Sequence, residues 1–319
     1  MGRTLQQQIA ANKRASLFYA LLVVVLLSAL VGAIVGFYRP SLWIYGAAGG
    51  AGLALLAAVI ARGFGHQIVL QISGAREATS DEDRMLRNVA EEMAIAAGIP
   101  MPKVYVIDDS APNAFATGPD PQRGIVVFTT GILQKLDRDE LQGVMAHELA
   151  HIRNYDIRFM TTLAIVAGFI PLIADMFRHM VWYGGGGRRS NDRDSGGQAL
   201  FAVLAIALSI LAPLFAMMLQ LAVSRRREFL ADATAAEMTR YPEGLASALI
   251  KITRDPEPLE AANRATQHMY IVNPMKAFHA GASSLFSTHP PIEERVAALR
   301  GLMGQYQRRQ LREEIHPEL

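Results

Sequence analysis

The stretch His147-Glu148-Leu149-Ala150-His151 decides how this sequence is interpreted. An α-helix has about 3.6 residues per turn, so residues four apart lie on one face and both imidazoles can reach a single metal ion. Glu148 follows the first histidine and can take a proton from a metal-bound water and pass it to a leaving amine. The pattern therefore predicts a zinc peptidase site, although so short a motif also occurs by chance in unrelated chains.

The residues around the motif indicate a packed helix with one functional face. Met145 and Leu149 lie opposite the histidines, and the flanking positions are small. Asp137 can cap the helix, and Glu140, three residues later, completes a capping box. We therefore predict that the metal-binding helix begins near residue 138.

Two long apolar runs near the N terminus predict membrane helices. Of the 319 residues, 51% are hydrophobic, and residues 15–38 and 41–61 carry no charge. Each run can cross about 30 Å of hydrocarbon as a helix, and the first is too long for a cleaved signal peptide. Basic residues precede the first run and follow the second, while Arg39 alone lies between them. The positive-inside rule therefore puts the N terminus and the segment after residue 62 in the cytoplasm.

Charge and cysteine content exclude several kinds of site. The net charge is +2 and no basic stripe with interleaved aromatic residues occurs, so no nucleic-acid partner is expected. The absence of cysteine excludes disulfides and thiolate ligands. A metal ion must then be held by His, Glu or Asp side chains.

Residues 67–156 predict a mixed α/β unit that begins with a helix. Ser80 can cap this helix, which is expected to run to about Ala97. Gly98 and Pro100 then supply the stop signal.

Short β-branched segments at 103–107 and 124–129 predict two strands. Between them, residues 112–118 have small side chains around one aromatic residue. This segment could form a sheet edge beside the metal, where a peptide substrate adds as a further strand. An ordinary hairpin strand is the alternative, and the pattern alone favours it.

Two further apolar blocks follow the histidines. Residues 199–224 are long enough for a membrane span, whereas residues 159–174 are short and fit either a membrane helix or a buried core helix. Residues 178–198 contain consecutive glycines and predict a mobile linker. The arginines of this linker conflict with an external location, so the topology of the two blocks stays open.

A third metal ligand is needed because catalytic zinc usually takes three protein ligands and keeps one open position. Glu228 and Asp232 follow the last apolar block and share one face of a predicted helix. We predict that Glu228 binds the metal and Asp232 orients a ligand histidine. A solvated carboxylate pair is the alternative, which the surrounding alanines disfavour. Since all ligands must lie on one side of the membrane, the two apolar blocks must cross it twice or not at all.

Four motifs, in their order along the chain, resemble the HtpX family of bacterial membrane zinc metalloproteases. They are the segment 112–118, the 147–151 pentapeptide, Glu228-Phe229-Leu230-Ala231-Asp232 and Phe286-Ser287-Thr288-His289-Pro290-Pro291. The resemblance covers nearly the whole chain, including its apolar segments.

The resemblance implies a gluzincin-type zinc endopeptidase of the bacterial cytoplasmic (inner) membrane, with its site facing the cytoplasm. Its ligands for Zn²⁺ are His147, His151 and Glu228, and Glu148 is its general base. Its partners are the lipid bilayer and damaged or misfolded membrane proteins, which it degrades under stress.

The roles of His289 and Arg295 each have two possible interpretations. His289 looks like the donor that stabilises an oxyanion, or it is a turn histidine fixed by two prolines. Arg295 pairs with a carboxylate in the site, or it is a charge on a surface helix.

The predicted fold is α+β and mainly helical. Residues 1–66 form an anchor with two transmembrane helices, and residues 157–224 form an inserted apolar helical hairpin embedded in the membrane. Residues 67–156 and 225–319 supply the two parts of a zincin-like cytoplasmic catalytic domain.

Two rival functions remain. A CAAX-type prenyl protease shares these motifs but is expected to be larger, with more membrane spans. A non-catalytic metal-binding membrane scaffold is the other rival. Glu148 argues against the scaffold, because a structural zinc site needs no base.

Overall fold

The chain folds mainly into helices, with one small sheet. The computed structural model describes residues 5–81, 83–183, 195–260, 269–272 and 290–315. The helices are α1 (Leu5–Tyr38), α2 (Trp43–Ile72), α3 (Arg84–Ala97), α4 (Thr130–Lys135), α5 (Arg138–Arg153), α6 (Asp156–Tyr183), α7 (Ser195–Thr239), α8 (Pro242–Arg254) and α9 (Ile292–Ile315); the strands are β1 (Arg76–Glu77), β2 (Lys103–Ile107), β3 (Ala114–Thr117) and β4 (Ile125–Thr129).

Among the described residues, four helical segments are long and apolar enough to cross a membrane. They are Leu17–Tyr38, Pro40–Ile72, Phe159–Tyr183 and Gly197–Leu219. The block at 159–174, whose length fitted two interpretations, thus belongs to a helix of spanning length.

The chain divides into two compact units. Unit 1 contains Met1–Phe64 and Thr162–Val223, and unit 2 contains Gly65–Thr161 and Ser224–Leu319. The boundaries between the units fall inside α2, α6 and α7. Unit 2 contains the H-E-x-x-H motif and Glu228.

The linker predicted for residues 178–198 was wrong at both of its ends. Helix α6 continues to Tyr183, and α7 already begins at Ser195. Arg178 therefore lies within α6, in a segment that is mainly apolar and also contains Asp175 and His179.

Contacts of Arg178 explain how helix α6 accommodates a charge. Pro213 has no backbone N–H, so the carbonyl of Ser209, four residues earlier in α7, lacks its helical donor. The guanidinium of Arg178 donates to this carbonyl with an N–O distance of 2.5 Å and also pairs with Asp175. Arg178 thereby supplies the hydrogen bond that Pro213 removes and links the two helices of the hairpin.

The sheet of unit 2 has the strand order β1-β2-β4-β3. Strands β2 and β4 are parallel, with Lys103 opposite Ile125, while β1 and β3 are each antiparallel to their neighbours. Both predicted strands are confirmed. Strand β3 lies at the sheet edge and also forms a hairpin with β4, so both interpretations of 112–118 describe part of its geometry.

Helix α3 ends as predicted but begins later. It ends at Ala97, and Gly98 adopts a left-handed conformation with φ of 64°. The prediction that Ser80 caps the helix was wrong, because α3 begins only after Asp83. The Ser80 hydroxyl donates to the Asp83 carboxylate over 2.6 Å, and Arg76 holds the same oxygen over 2.9 Å.

The core of unit 2 forms where α5 packs against the sheet, α3 and α8. Helix α8 in turn packs against α9. The motif helix thus packs against α3, α8 and strands β3 and β4, which explains why nearly all of its residues from 140 to 152 are buried.

Helices α5 and α8 approach closely at Gly143. A Cβ atom on Gly143 would lie 2.5 Å from the backbone nitrogen of Leu245 and 2.8 Å from its Cα. We predict that Gly143→Ala lowers the free energy of unfolding by about 1–3 kcal/mol, because the two backbones must separate.

The matched control is Gly301→Ala in α9, where no atom lies within 4 Å of the added Cβ. Because alanine favours the helix, this variant should be as stable as the parent or up to about 1 kcal/mol more stable. Unfolding of the detergent-solubilised variants measures both effects, and equal stabilities for the two would contradict the prediction.

Candidate metal centre

Helix α5 begins at a complete capping box. The carboxylate of Asp137 accepts a hydrogen bond from the Glu140 backbone over 3.0 Å, and the Glu140 side chain accepts one from the Asp137 backbone over 2.9 Å. The predicted helix start is confirmed. About two turns further on, both histidines of the motif and Glu148 are buried.

Three candidate ligand side chains converge beside α5. The Nε2 atoms of His147 and His151 are 3.2 Å apart. The Glu228 carboxylate, which comes from α7, lies 3.6 Å from Nε2 of His147 and 3.5 Å from Nε2 of His151. Atoms bound at about 2.0–2.1 Å to one tetrahedral metal are roughly 3.3 Å from each other. The three side chains therefore fit a single metal ion.

A carboxylate and a guanidinium lie on the Nδ1 side of the His147 ring. Its Nδ1 atom lies 3.0 Å from Oδ1 of Asp232. Arg295 donates two hydrogen bonds to Asp232, over 2.8 Å from Nε and 2.7 Å from Nη2. Its Nη1 atom is also 3.2 Å from Glu228. Arg295 is fully buried, so it is the partner of carboxylates in the site and not a surface charge.

His151 has a similar arrangement on its other face. Its Nδ1 atom lies 3.3 Å from Oδ2 of Asp156, and Oδ1 of Asp156 lies 3.1 Å from Arg227. The guanidinium of Arg227 is 4.4 Å from the ring centre of Phe159. Asp156 and Phe159 come from α6, and Arg227 comes from α7.

Asp156 and Arg227 were not predicted from the sequence. Asp156 follows the end of α5, where Tyr155 takes a left-handed conformation with φ of 63°. This turn, and not a helical repeat, brings the carboxylate beneath His151. The available signal was chemical, since a ligand imidazole needs an acceptor for its second nitrogen.

The electrostatics of the site favour protonated histidines when no metal is bound. Burial lowers the pKa of His151, but its hydrogen bonds to Asp156 and Glu228 outweigh burial and raise it to about 10. Burial likewise lowers the pKa of His147, and the carboxylates of Asp232 and Glu228 raise it above its usual value. Because a metal binds the neutral imidazole, its binding must displace protons from these rings.

The carboxyl groups of the site differ in their pKa. Burial raises the pKa of Glu148 above its ordinary value. Burial also raises the pKa of Asp232, but Arg295 and His147 outweigh burial and lower it. The two shifts favour the charged form of Asp232 and the neutral form of Glu148.

Strand β3 passes along α5 at the sheet edge. The Asn113 carbonyl faces β4, because it accepts a hydrogen bond from Thr129 over 3.0 Å. By the alternation of strand hydrogen bonds, the backbone groups of Ala114 and Ala116 then face away from β4. Ile271 donates to the Ala114 carbonyl over 2.9 Å, so one end of this edge is already paired.

His289, the residue predicted to stabilise an oxyanion, lies outside the described residues. The two prolines that follow it lead into α9, the helix that carries Arg295.

Comparisons with known proteins identify the family. Residues 80–303 match Peptidase family M48. A Protease HtpX homolog of Dictyoglomus thermophilum is 44% identical over 306 residues, which cover 95% of this chain and 96% of the relative. That of Ligilactobacillus salivarius is 43% identical over 303 residues, which cover 92% and 99%. The chain belongs to the HtpX proteases of peptidase family M48.

The resemblance seen in the sequence is thus confirmed. With its four apolar helices, this HtpX protease is a membrane-bound metalloprotease. A solved structure, that of S. mikatae Ste24p, is 20% identical, with a TM-score of 0.42, and is matched over 86% of this chain and 61% of that chain.

Proposed function

We propose that the protein is a zinc endopeptidase of the bacterial cytoplasmic membrane that cleaves damaged or misfolded membrane proteins under stress. The observation that carries this proposal is the convergence of His147, His151 and Glu228 at separations of 3.2, 3.5 and 3.6 Å. Glu148, on the same helix, supplies the base that a structural metal site does not need. The four apolar helices keep the enzyme in the bilayer together with such substrates.

Each residue of the site has a distinct role in the proposed reaction. His147, His151 and Glu228 would hold the metal ion. When bound, the zinc ion would polarise the scissile carbonyl and lower the pKa of the attacking water. Glu148 accepts the proton at a carboxylate oxygen and then donates it to the leaving amine, which suits its raised pKa. His289 donates a hydrogen bond to the developing oxyanion.

The edge of β3 is the proposed binding site for the peptide. The backbone N–H and C=O of Ala116 face away from β4, and β3 packs against the motif helix. A substrate added there as a strand is held mainly by main-chain hydrogen bonds, which require an extended peptide and little particular sequence. Unfolded segments of damaged proteins meet this requirement.

The proposed topology places both catalytic parts, residues 67–156 and 225–319, in the cytoplasm. Residues 1–66 anchor the chain with two spans, and the hairpin at 157–224 crosses the membrane twice. This arrangement is supported by the basic residues that flank the first two apolar runs. It also keeps Glu228 on the same side as the histidines.

A cleavage assay with detergent-purified protein tests the proposal. An unfolded membrane protein should be cleaved, metal-free enzyme should be inactive, and added Zn²⁺ should restore cleavage. The same substrate in its folded form serves as the control and should be cleaved more slowly. Cleavage of a prenylated CAAX peptide in preference to the unfolded protein would favour the first rival, and zinc binding without any turnover would favour the scaffold.

A further inference from the structure

Each histidine of the candidate metal site is supported by its own carboxylate and guanidinium, and both groups are buried. Asp232 and Arg295 form the set behind His147. Asp156 and Arg227 form the set behind His151. All four of these side chains are at least nine-tenths buried.

We propose that Asp156 and Arg227 are positioning residues that fix the His151 imidazole for the metal. Asp156 bridges the two partners, with Oδ2 facing Nδ1 of His151 and Oδ1 facing Nη1 of Arg227. When Nδ1–H donates to Asp156, the lone pair of Nε2 is directed towards His147 and Glu228. The inference rests on the proposed zinc site.

Arg227 connects this support to the third ligand. It directly precedes Glu228 in α7, so one turn of that helix reaches both sides of the His151 ring. Glu228 faces Nε2 over 3.5 Å, while Arg227 acts on Nδ1 through Asp156. The position of His151 relative to Glu228 is therefore set by α7 and not by α5 alone.

The environment of Arg227 suits a fixed supporting role. Its guanidinium lies over the ring of Phe159, which restricts its orientation, and it compensates the buried charge of Asp156. A buried ion pair is often replaceable by apolar residues without loss of stability. A pair kept at a ligand imidazole is better explained by the orientation that it imposes.

The test measures metal binding in the full-length protein in detergent. Asp156→Ala and Arg227→Met are each expected to raise the zinc dissociation constant about 10–100-fold, measured by competition with a chromophoric chelator. Both should also change the visible absorption spectrum of the Co²⁺-loaded protein, since the geometry at the metal changes. Asp156→Asn keeps the shape of the side chain and should give a smaller change of the same kind, and it replaces Asp156→Ala if that variant does not fold.

Glu140→Gln is the matched control. Glu140 is another buried carboxylate and lies in α5, where it is held by Lys251 over 2.7 Å and Ser247 over 2.6 Å. Its substitution should change stability but not the zinc dissociation constant or the Co²⁺ spectrum. The double variant Asp156→Ala/Arg227→Met should bind zinc about as weakly as Asp156→Ala, because the two residues act as one unit.

The outcomes separate the inference from the proposed function. If parent protein binds zinc and His147→Ala does not, the metal site stands; unchanged zinc affinity and Co²⁺ spectra in the Asp156 and Arg227 variants would then overturn the positioning role alone. Equal effects of these variants and Glu140→Gln would overturn it as well. If the parent protein binds no zinc, the proposed function itself fails.

Discussion

Glu148→Gln is expected to abolish proteolysis while leaving the metal in place. The amide cannot accept a proton from the attacking water, and the loss of general-base catalysis lowers kcat by at least about 10²–10⁴-fold. The three ligand side chains are unchanged, so the zinc content should match that of the parent protein. Cleavage of an unfolded membrane protein and metal analysis of the same sample measure both quantities.

The control for this variant is Asp139→Asn, an exposed position in the first turn of the same helix. It should keep the parent kcat and zinc content. A Glu148→Gln protein that retains zinc and cleaves at the parent rate would refute the assigned role of Glu148. Loss of zinc in this variant would show that Glu148 supports the metal instead of acting only as a base.

The motif helix was predictable because its signals are local. The capping box at Asp137 and Glu140 and the four-residue spacing of the histidines both follow from helical periodicity. The spacing of Glu228 and Asp232 has the same origin, and the structure brings both carboxylates to the histidines. The approach of Glu228 and Asp232 to the two histidines could thus be predicted, because each of the two pairs has the four-residue spacing of one helix face.

The rest of the site depends on contacts that have no sequence period. Asp156 reaches His151 through a turn with a left-handed residue, and the burial of Arg295 results from the packing of α9. The prediction that Ser80 caps α3 was wrong for a related reason. Arg76 and Ser80 both bind the Asp83 carboxylate. Such competition between side chains is decided by tertiary structure and not by local preference.

Arg178 shows that contacts between distant parts of the chain are also difficult to predict in the apolar segments. Arg178 was assigned to a linker because consecutive glycines and mixed charges follow it. The carbonyl that Pro213 leaves without a donor lies in another helix, so the sequence near Arg178 does not reveal its partner. A helix with a proline and a helix with an arginine can therefore form a matched pair within one hairpin.

Arg295→Met is expected to cause the largest loss of stability in unit 2. The guanidinium is fully buried and pairs with Asp232 over 2.7 Å and Glu228 over 3.2 Å. Removing it leaves two buried carboxylates without this partner, which costs about 3–5 kcal/mol of unfolding free energy. Unfolding in detergent with a chelator present measures this loss in the metal-free protein.

The loss of unfolding free energy in Arg295→Met should be smaller when zinc is bound. A divalent cation beside Glu228 supplies positive charge in place of the Arg295 guanidinium, and it stabilises only the folded state. The stability of Arg295→Met should therefore rise more steeply with zinc concentration than that of the parent protein. The control is Arg300→Met. Arg300 lies on α9, as Arg295 does, and forms a surface ion pair with Glu243 of α8, so its replacement should cause a small loss that zinc does not change. If zinc stabilises Arg295→Met no more than the parent, then Arg295 does not compensate the charge of the metal ligands, and its burial serves the packing of α9 alone.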